Sequence, residues 1–206
     1  MAFEQWAALP WVKSQKDKIQ WGQLTGSALS IAIAEGVKQQ NDLVLIVTPD
    51  TPSALRLETE LEYLLPDNPV MVFPDWETLP YDHFSPHQDI ISARLATLNT
   101  LKNEQQSVLI VPVSTLMLRT APASFIYGST LNFKVGDKLD THNLRSNLEQ
   151  AGYLNVQQVM EHGEYAIRGS IVDLYPMGTK NPYRIDLFDN EIDSIRSFDT
   201  SSQRSI

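Results

Sequence analysis

Four stretches of this chain carry residue types that could do chemistry. Glu161-His162-Gly163-Glu164 sets two carboxylates around an imidazole, the components of a general acid–base pair. Nothing upstream supplies a nucleophile, an oxyanion hole or a metal. A tight turn between strands accounts for the same residues. A second stretch, residues 74–89 (PDWETLPYDHFSPHQD), crowds Asp75, Glu77, Asp82, His83, His87 and Asp89 into one loop. His83 and His87 have the spacing of a helical metal pair, but Ser85-Pro86 lies between them and disfavours a continuous helix. A structured loop is expected instead, with Trp76, Leu79, Tyr81 and Phe84 folded over the core and the polar groups bonded to backbone or solvent.

The third stretch, WGQLTGSALS at residues 21–30, has the look of a phosphate loop between a strand and a helix. A working loop of this kind reads G-x-x-x-x-G-K-[ST]. Here Gly22, Gly26 and Ser27 precede Ala28, which replaces the second glycine, and Leu29, which replaces the lysine; Ser30 keeps the hydroxyl position. Without the lysine the β/γ-phosphates lose a charge-assisted bond worth about 1.5–3 kcal/mol. A degenerate loop that binds no nucleotide is the expectation.

The fourth stretch is Glu161–Asp189. Two strand-like runs, Ser170–Tyr175 and Tyr183–Phe188, alternate apolar and polar residues. Strand parity puts Arg184, Asp186 and Phe188 on one face, with Arg168 at the preceding turn. Arginine beside an exposed aromatic is the composition of a protein-interface hot spot. An Arg–Asp pair within the sheet, with Phe188 packed under a helix, explains the pattern equally well.

Composition limits the alternatives. With 206 residues, 42% of them hydrophobic and 20% charged, the chain suits one or two globular domains. It has no Cys, so disulfides, Cys-ligated zinc and thiol catalysis are excluded. There is no apolar run of roughly 18 residues and no secretory signal pattern, and a cytoplasmic setting is expected. A net charge of −9 argues against a direct DNA-binding module, which needs a basic footprint.

The elements that must hold these residues follow from periodicity. Residues 1–18 read as a docked arm and Ile19–Leu24 as a short strand. A helix follows to about Gln40, capped by Thr25 or Ser27. Leu43–Val47 and Val108–Val111 are continuous apolar runs, expected to be strands buried on both faces of a parallel sheet. Thr51 and Pro52 fit the N-cap and first position of a helix ending at Pro66. Val70–Phe73 predicts a strand, Gln88–Lys102 a helix with Ile90, Ile91, Leu95, Leu98 and Leu101 on one stripe, and Ser114–Leu118 a short helix. This alternation predicts a doubly wound, mostly parallel α/β sheet. After a connector at 119–128 the pattern changes. Thr130–Lys134, Val156–Met160, Ser170–Tyr175, Tyr183–Phe188 and Ile192–Phe198 read as strands and Leu139–Gln150 as a helix capped near Asp140 or Thr141, giving a small antiparallel α+β domain.

The segments DWETLPYDHFSPHQDIISARLATL, VLIVPVSTLM and EHGEYAIRGSIVDLYPMGTKNPYRIDLFDNEIDSIRSFD resemble the N-terminal, UvrB-homology region of the bacterial transcription-repair coupling factors, the Mfd family. The resemblance covers nearly the whole chain and is weakest over residues 1–18. It implies a UvrB-like domain 1a over 19–125 and a domain 2 over 126–206, the chain ending before domain 1b. It implies that the phosphate loop is a lost one, and that the loop after Val70–Phe73 is too short for the damage-probing hairpin of UvrB. It further implies a non-catalytic adaptor that recruits UvrA through Arg168, Arg184 and Phe188. That surface would be masked by a C-terminal domain until stalled RNA polymerase is engaged. No cofactor or metal is expected in these residues, ATP and Mg belonging to motor domains of the longer proteins, which also contact RNA polymerase and DNA. The rival expectation is a P-loop ATPase with an unusual loop.

Overall fold

The computed structural model describes residues 18–78, 83–103, 106–122 and 131–206. These fall into two compact units. The first runs to Asp75 and takes in Thr100–Arg119; the second comprises Trp76–Asn99 and Thr120–Ile206. Residues 76–99, grouped by the sequence pattern with the first domain, therefore pack mainly with the second unit.

The first unit contains α1 (Ala28–Lys38), β1 (Val44–Thr48), α2 (Thr51–Leu64), β2 (Val70–Val72), the end of α3 (Gln88–Asn103), β3 (Val108–Pro112) and the single turn α4 (Val113–Leu116). Its three strands are parallel in the order β1–β3–β2. β3 is central and fully buried, as a continuous apolar run predicts. β1 is an edge strand, and there the expectation fails. Val44 and Ile46 join the core, whereas Leu43, Leu45 and Val47 are about half exposed. The core under the sheet is built from Ile33, Ala34 and Val37 of α1, Ala54, Leu57 and Leu61 of α2, and Val108 and Ile110 of β3. Both helices thus cover one face. The βαβ connectivity is as read, but among the described residues no element buries the outer side of β1.

A helix cap explains the start of α2. The N-cap of α2 is Asp50, not Thr51: its Oδ1 accepts from the Ser53 N–H at 2.8 Å. Pro52 sits one place further in than expected, where its missing N–H still costs nothing. Residues 18–24 form no strand.

The second unit holds most of α3, then α5 (Thr141–Gln150), β4 (Leu154–Asn155), β5 (Glu164–Arg168), β6 (Ile171–Leu174), β7 (Tyr183–Phe188) and β8 (Glu191–Ser197). The sheet order is β4–β5–β6–β7–β8, parallel between β4 and β5 and antiparallel elsewhere. Three expectations are corrected. The domain is mixed rather than purely antiparallel. The fifth strand is Glu164–Arg168, read as a turn, while Val156–Met160 forms none; its Val159 is buried instead beneath Phe198. Leu131–Lys134 also lacks strand structure. α5 begins where Asp140 Oδ1 accepts from the His142 and Asn143 N–H groups, at 2.8 and 3.2 Å. It buries Leu144 and Leu148, one turn apart, against Tyr165, Val172, Leu174, Ile185, Leu187 and Ile192. Inward and outward residues alternate along β7, so one sheet face meets this core and the other does not.

α3 is tied to the β6–β7 connection. The Gly178 N–H donates to Ser92 Oγ at 2.9 Å, and Gly178 lies at φ +83°. A Cβ here would meet the Ala96 backbone only at ordinary contact distance, so the cost of a side chain lies in that φ. Gly178→Ala is expected to destabilise by about 1–2 kcal/mol and Ser92→Ala by about 1 kcal/mol, both read by urea denaturation.

Candidate protein-interaction face

The outward face of the second sheet is organised by one carboxylate. Asp173 on β6 is fully buried although it points away from the apolar core. In register it sits between Ala166 of β5 and Arg184 of β7. Arg184 donates to it twice, Nε to Oδ1 at 2.6 Å and Nη2 to Oδ2 at 2.9 Å. Arg168, at the end of β5, donates from Nη2 to Oδ2. A charge buried in this way is tolerated because two cations and several hydrogen bonds replace its water.

Arg184 has further partners. Its Nη1 donates to the Gln203 carbonyl at 3.1 Å, and its guanidinium lies over the Phe198 ring, 4.8 Å from the centroid. The hydrogen bonds it donates to Asp173 hold its pKa above the ordinary arginine range, against the opposing effect of burial. Gln203 is itself held in place: its backbone N–H donates to the Asp199 carbonyl at 2.7 Å, and its side-chain amide donates to the carbonyls of Val159 and Thr200. Asp199 Oδ1 closes the same turn by accepting from Ser201 Oγ and the Ser202 N–H. Those bonds depress its pKa to about 2. Residues 198–203 therefore form a flap over the Asp173–Arg184 pair.

One step along the sheet lies a second pair. Asp186 accepts from Ser194 Oγ at 2.8 Å and from Arg196 Nη2. Burial works to raise the Asp186 pKa; the bonds from Ser194 and Arg196, with the charges of Arg196 and Arg184, outweigh it and hold the carboxyl below its usual range. Past Asp186 the β7–β8 pairing shifts register by one residue. Phe188 then stands 76% exposed at the strand end.

The three residues singled out from the sequence thus share one face but differ in kind. Arg168 is half exposed, at 51% of its side chain, and Phe188 is open to solvent. Arg184 keeps only 17% exposed and is committed within the domain. The intrasheet Arg–Asp pair left open by the sequence does form, but with Asp173 across the strand rather than Asp186 on its own strand. Phe188 is not under a helix. Asp173, Arg196 and Gln203 were missed. Asp173 reads as an ordinary solvent-facing residue in an alternating strand, and its role becomes visible only once β6 and β7 are paired.

The other candidates resolve into structural roles. Glu164 Oε2 accepts from the Met160 and Glu161 N–H groups at 2.7 and 2.9 Å. The His162 ring places Nδ1 2.8 Å from Asp89 Oδ1 and Nε2 2.8 Å from the Thr179 carbonyl, pinning α3 to the β6–β7 connection. In the 74–89 loop, Trp76 lies under Arg94, 4.0 Å from the guanidinium, but Phe84 is exposed rather than folded over the core. Leu79, Tyr81 and Asp82 lie outside the described residues, and among the described residues no three His, Cys, Asp or Glu cluster as metal ligands.

In the first unit, Gly26 takes φ +59° before α1, and Ser27 at the N-cap makes no side-chain cap bond. Leu29 points partly to solvent, and Ser30, in the hydroxyl position of a phosphate loop, is buried and donates to Glu60 of α2. No lysine stands at Leu29 to reach a phosphate, and the retained hydroxyl is spent on a carboxylate.

The second unit is thus a five-stranded sheet backed by one helix, with a charged and aromatic outer face. Residues 131–206 match the family model of the UvrB interaction domain. Along its length the chain is 53% identical to the transcription-repair-coupling factor of Escherichia coli over 185 residues, 49% identical to that of Haemophilus influenzae over 185, and 32% identical to that of Bacillus subtilis over 183. These matches cover 89–90% of the chain and 16% of each relative, so the chain spans about one sixth of the length of the curated relatives it matches. The chain thus matches one part of the transcription-repair-coupling factors, with a UvrB interaction domain over residues 131–206.

Two outcomes are expected from this geometry. Arg184→Ala leaves Asp173 buried with one half-exposed cation and should cost about 3–5 kcal/mol in urea unfolding; Arg168→Ala, which leaves the bidentate pair intact, should cost clearly less. Asp199, with a pKa depressed to about 2, contributes stability above the unfolded carboxylate range that disappears as pH falls through about 2. Asp199→Asn should therefore lower stability at neutral pH and flatten its decline between about pH 4 and 2, measured by thermal melting across that range.

Proposed function

We propose that this chain serves transcription-coupled nucleotide excision repair as a non-catalytic adaptor, recruiting UvrA through the outer face of β5–β8. The observation that carries the reading is Phe188, a large aromatic standing open to solvent beside the half-exposed Arg168, on a sheet whose family match is an interaction domain. Aromatic and arginine side chains dominate interface energetics.

In this reading Phe188 enters an apolar recess on UvrA and Arg168 meets an acidic group at its rim. Arg184 supports both by fixing Asp173, and contributes to binding mainly through the shape of the face. Domain 131–206 is the binding module, and the first unit is a P-loop relic that hydrolyses no ATP. DNA translocation with ATP and Mg, contact with RNA polymerase, and masking of the UvrA face by a C-terminal domain are assigned to parts of the longer proteins outside these residues. The working compartment is the cytoplasm. A loop lacking the phosphate-binding lysine and tying up its hydroxyl supports the adaptor over a P-loop ATPase, and the net charge of −9 supports it over a direct DNA-binding module.

Calorimetric titration of UvrA tests the reading. Phe188→Ala and Arg168→Glu are each expected to weaken binding by about 30-fold or more, the loss typical of hot-spot residues of about 2 kcal/mol, while circular dichroism and cooperative unfolding stay as in the unaltered chain. Unchanged affinity in both variants would remove UvrA as the partner of this face. Arg184→Glu is a poor probe, because its loss of binding would follow from loss of the fold.

A further inference from the structure

The outer face extends beyond Arg168 and Phe188 to the far edge of the sheet. Register places Arg168, Ile171, Asp186 and Ser194 in one row across β5, β6, β7 and β8. Arg196 lies diagonally across from Asp186 on β8, and 51% of its side chain is exposed. Ile171 is partly exposed between Arg168 and Asp186, and Phe188 is two residues along β7 from Asp186. Apolar side chains are thus bracketed by cations on both sides of the sheet.

Arg168 and Arg196 are each 51% exposed, whereas their partners Asp173 and Asp186 are 0% and 24% exposed, so the solvent side of both ion pairs is cationic in a chain whose net charge is −9. Asp173 is shared and shielded by two arginines, whereas Asp186 is occupied from one side by Ser194. Ser194 and Asp186 act as a footing for Arg196, holding the guanidinium upright at a strand edge without covering it. The acids Asp189, Glu191 and Asp193 are exposed at the tip of the β7–β8 hairpin, so the face is polarised along the strands.

We propose that Arg196 is a second cationic flank of the binding face, so that the partner surface is an apolar recess rimmed by carboxylates on two sides, one meeting Arg168 and the other Arg196. This rests on the UvrA reading and specifies the chemistry of the surface that UvrA must present. Charge complementarity is what commits the face to such an occupant: each guanidinium is paired on its sheet side but keeps half of its side chain at the solvent, where a carboxylate suits it and a basic group does not. Arg196 suits the role because a half-exposed ion pair such as Arg196–Asp186 contributes little to stability. Its charge can be removed while the buried Asp173 network stays intact.

The test is titration of UvrA into the full chain and into Arg196→Ala, Arg196→Glu, Arg196→Lys, Asp186→Asn, Arg168→Glu and Phe188→Ala, each checked for cooperative unfolding, at two salt concentrations. Arg196→Ala is expected to weaken binding about tenfold and to reduce its salt dependence. Arg196→Glu should weaken it further, and Arg196→Lys should retain most of it. Asp186→Asn should loosen the footing and weaken binding less than Arg196→Ala. If Arg196→Glu fails to unfold cooperatively, Arg196→Met takes its place. Affinity within about twofold of the unaltered chain for Arg196→Glu or Arg196→Met, with Arg168→Glu and Phe188→Ala impaired, overturns the second flank and leaves the UvrA face standing. Unaltered affinity in Arg168→Glu and Phe188→Ala as well removes both.

Discussion

The outer face of the second unit depends on keeping Asp173 charged in a place with no water. A buried carboxylate is unfavourable unless its lone pairs are filled. Two strands supply the donors: Arg184 from β7 in a two-pronged grip and Arg168 from the end of β5. The grip fixes the Arg184 guanidinium over the Phe198 ring and brings its Nη1 to the Gln203 carbonyl, so the 198–203 flap closes on the same centre. Buried ion clusters add little net stability over an apolar replacement, because desolvation offsets attraction. Their worth here is positional. The pair sets the register of β6 on β7 and leaves Arg168 with one committed edge and one free to meet a partner.

The two sheet faces follow different rules. The inner face is held by α5, Tyr165 and the aliphatic side chains of β6, β7 and β8, where shape and apolar area decide. Even there one polar atom is accounted for: the Tyr165 hydroxyl donates to Glu149 at 3.0 Å, and burial raises its pKa. The outer face has only a small apolar cluster, Val159, Ala166 and Phe198, and is ordered beside it by directional bonds. A domain built this way tolerates change on its exposed surface, provided the bonds around Asp173 survive.

Much of this was legible in the sequence. The alternation Tyr183–Phe188 is a strand as read, and its parity correctly sends Ile185 and Leu187 inward and Arg184, Asp186 and Phe188 outward. The run Val108–Val111 is a buried central strand. What escaped is what periodicity cannot carry. LVLIV at 43–47 reads like a central strand, yet which strand lies at an edge depends on pairing order, a non-local property. Glu164–Arg168 is short and charged at both ends, so local composition favours a turn, and only its neighbours β4 and β6 make it a strand. Asp173 looked like a surface residue because burial by distant arginines leaves no local trace. α3 shows its apolar stripe plainly, but nothing in the stripe says that Ser92 and Asp89 answer Gly178 and His162, some 70–90 residues away.

The register shift between β7 and β8 has a consequence for shape. Asp193 is the supernumerary residue: with it, Ile192 and Ile195 both reach the core though three apart, and without it the strand would alternate regularly. An inserted residue of this kind does not alter which side chains are available; it increases the local right-handed twist of the ribbon. The β7–β8 ribbon therefore twists more steeply than regular pairing would make it. A flat surface laid on a more twisted ribbon would gap at one margin, whereas a surface that follows the twist could touch both strands at once. Twist introduced by a single inserted residue thus discriminates among docking surfaces of equal charge.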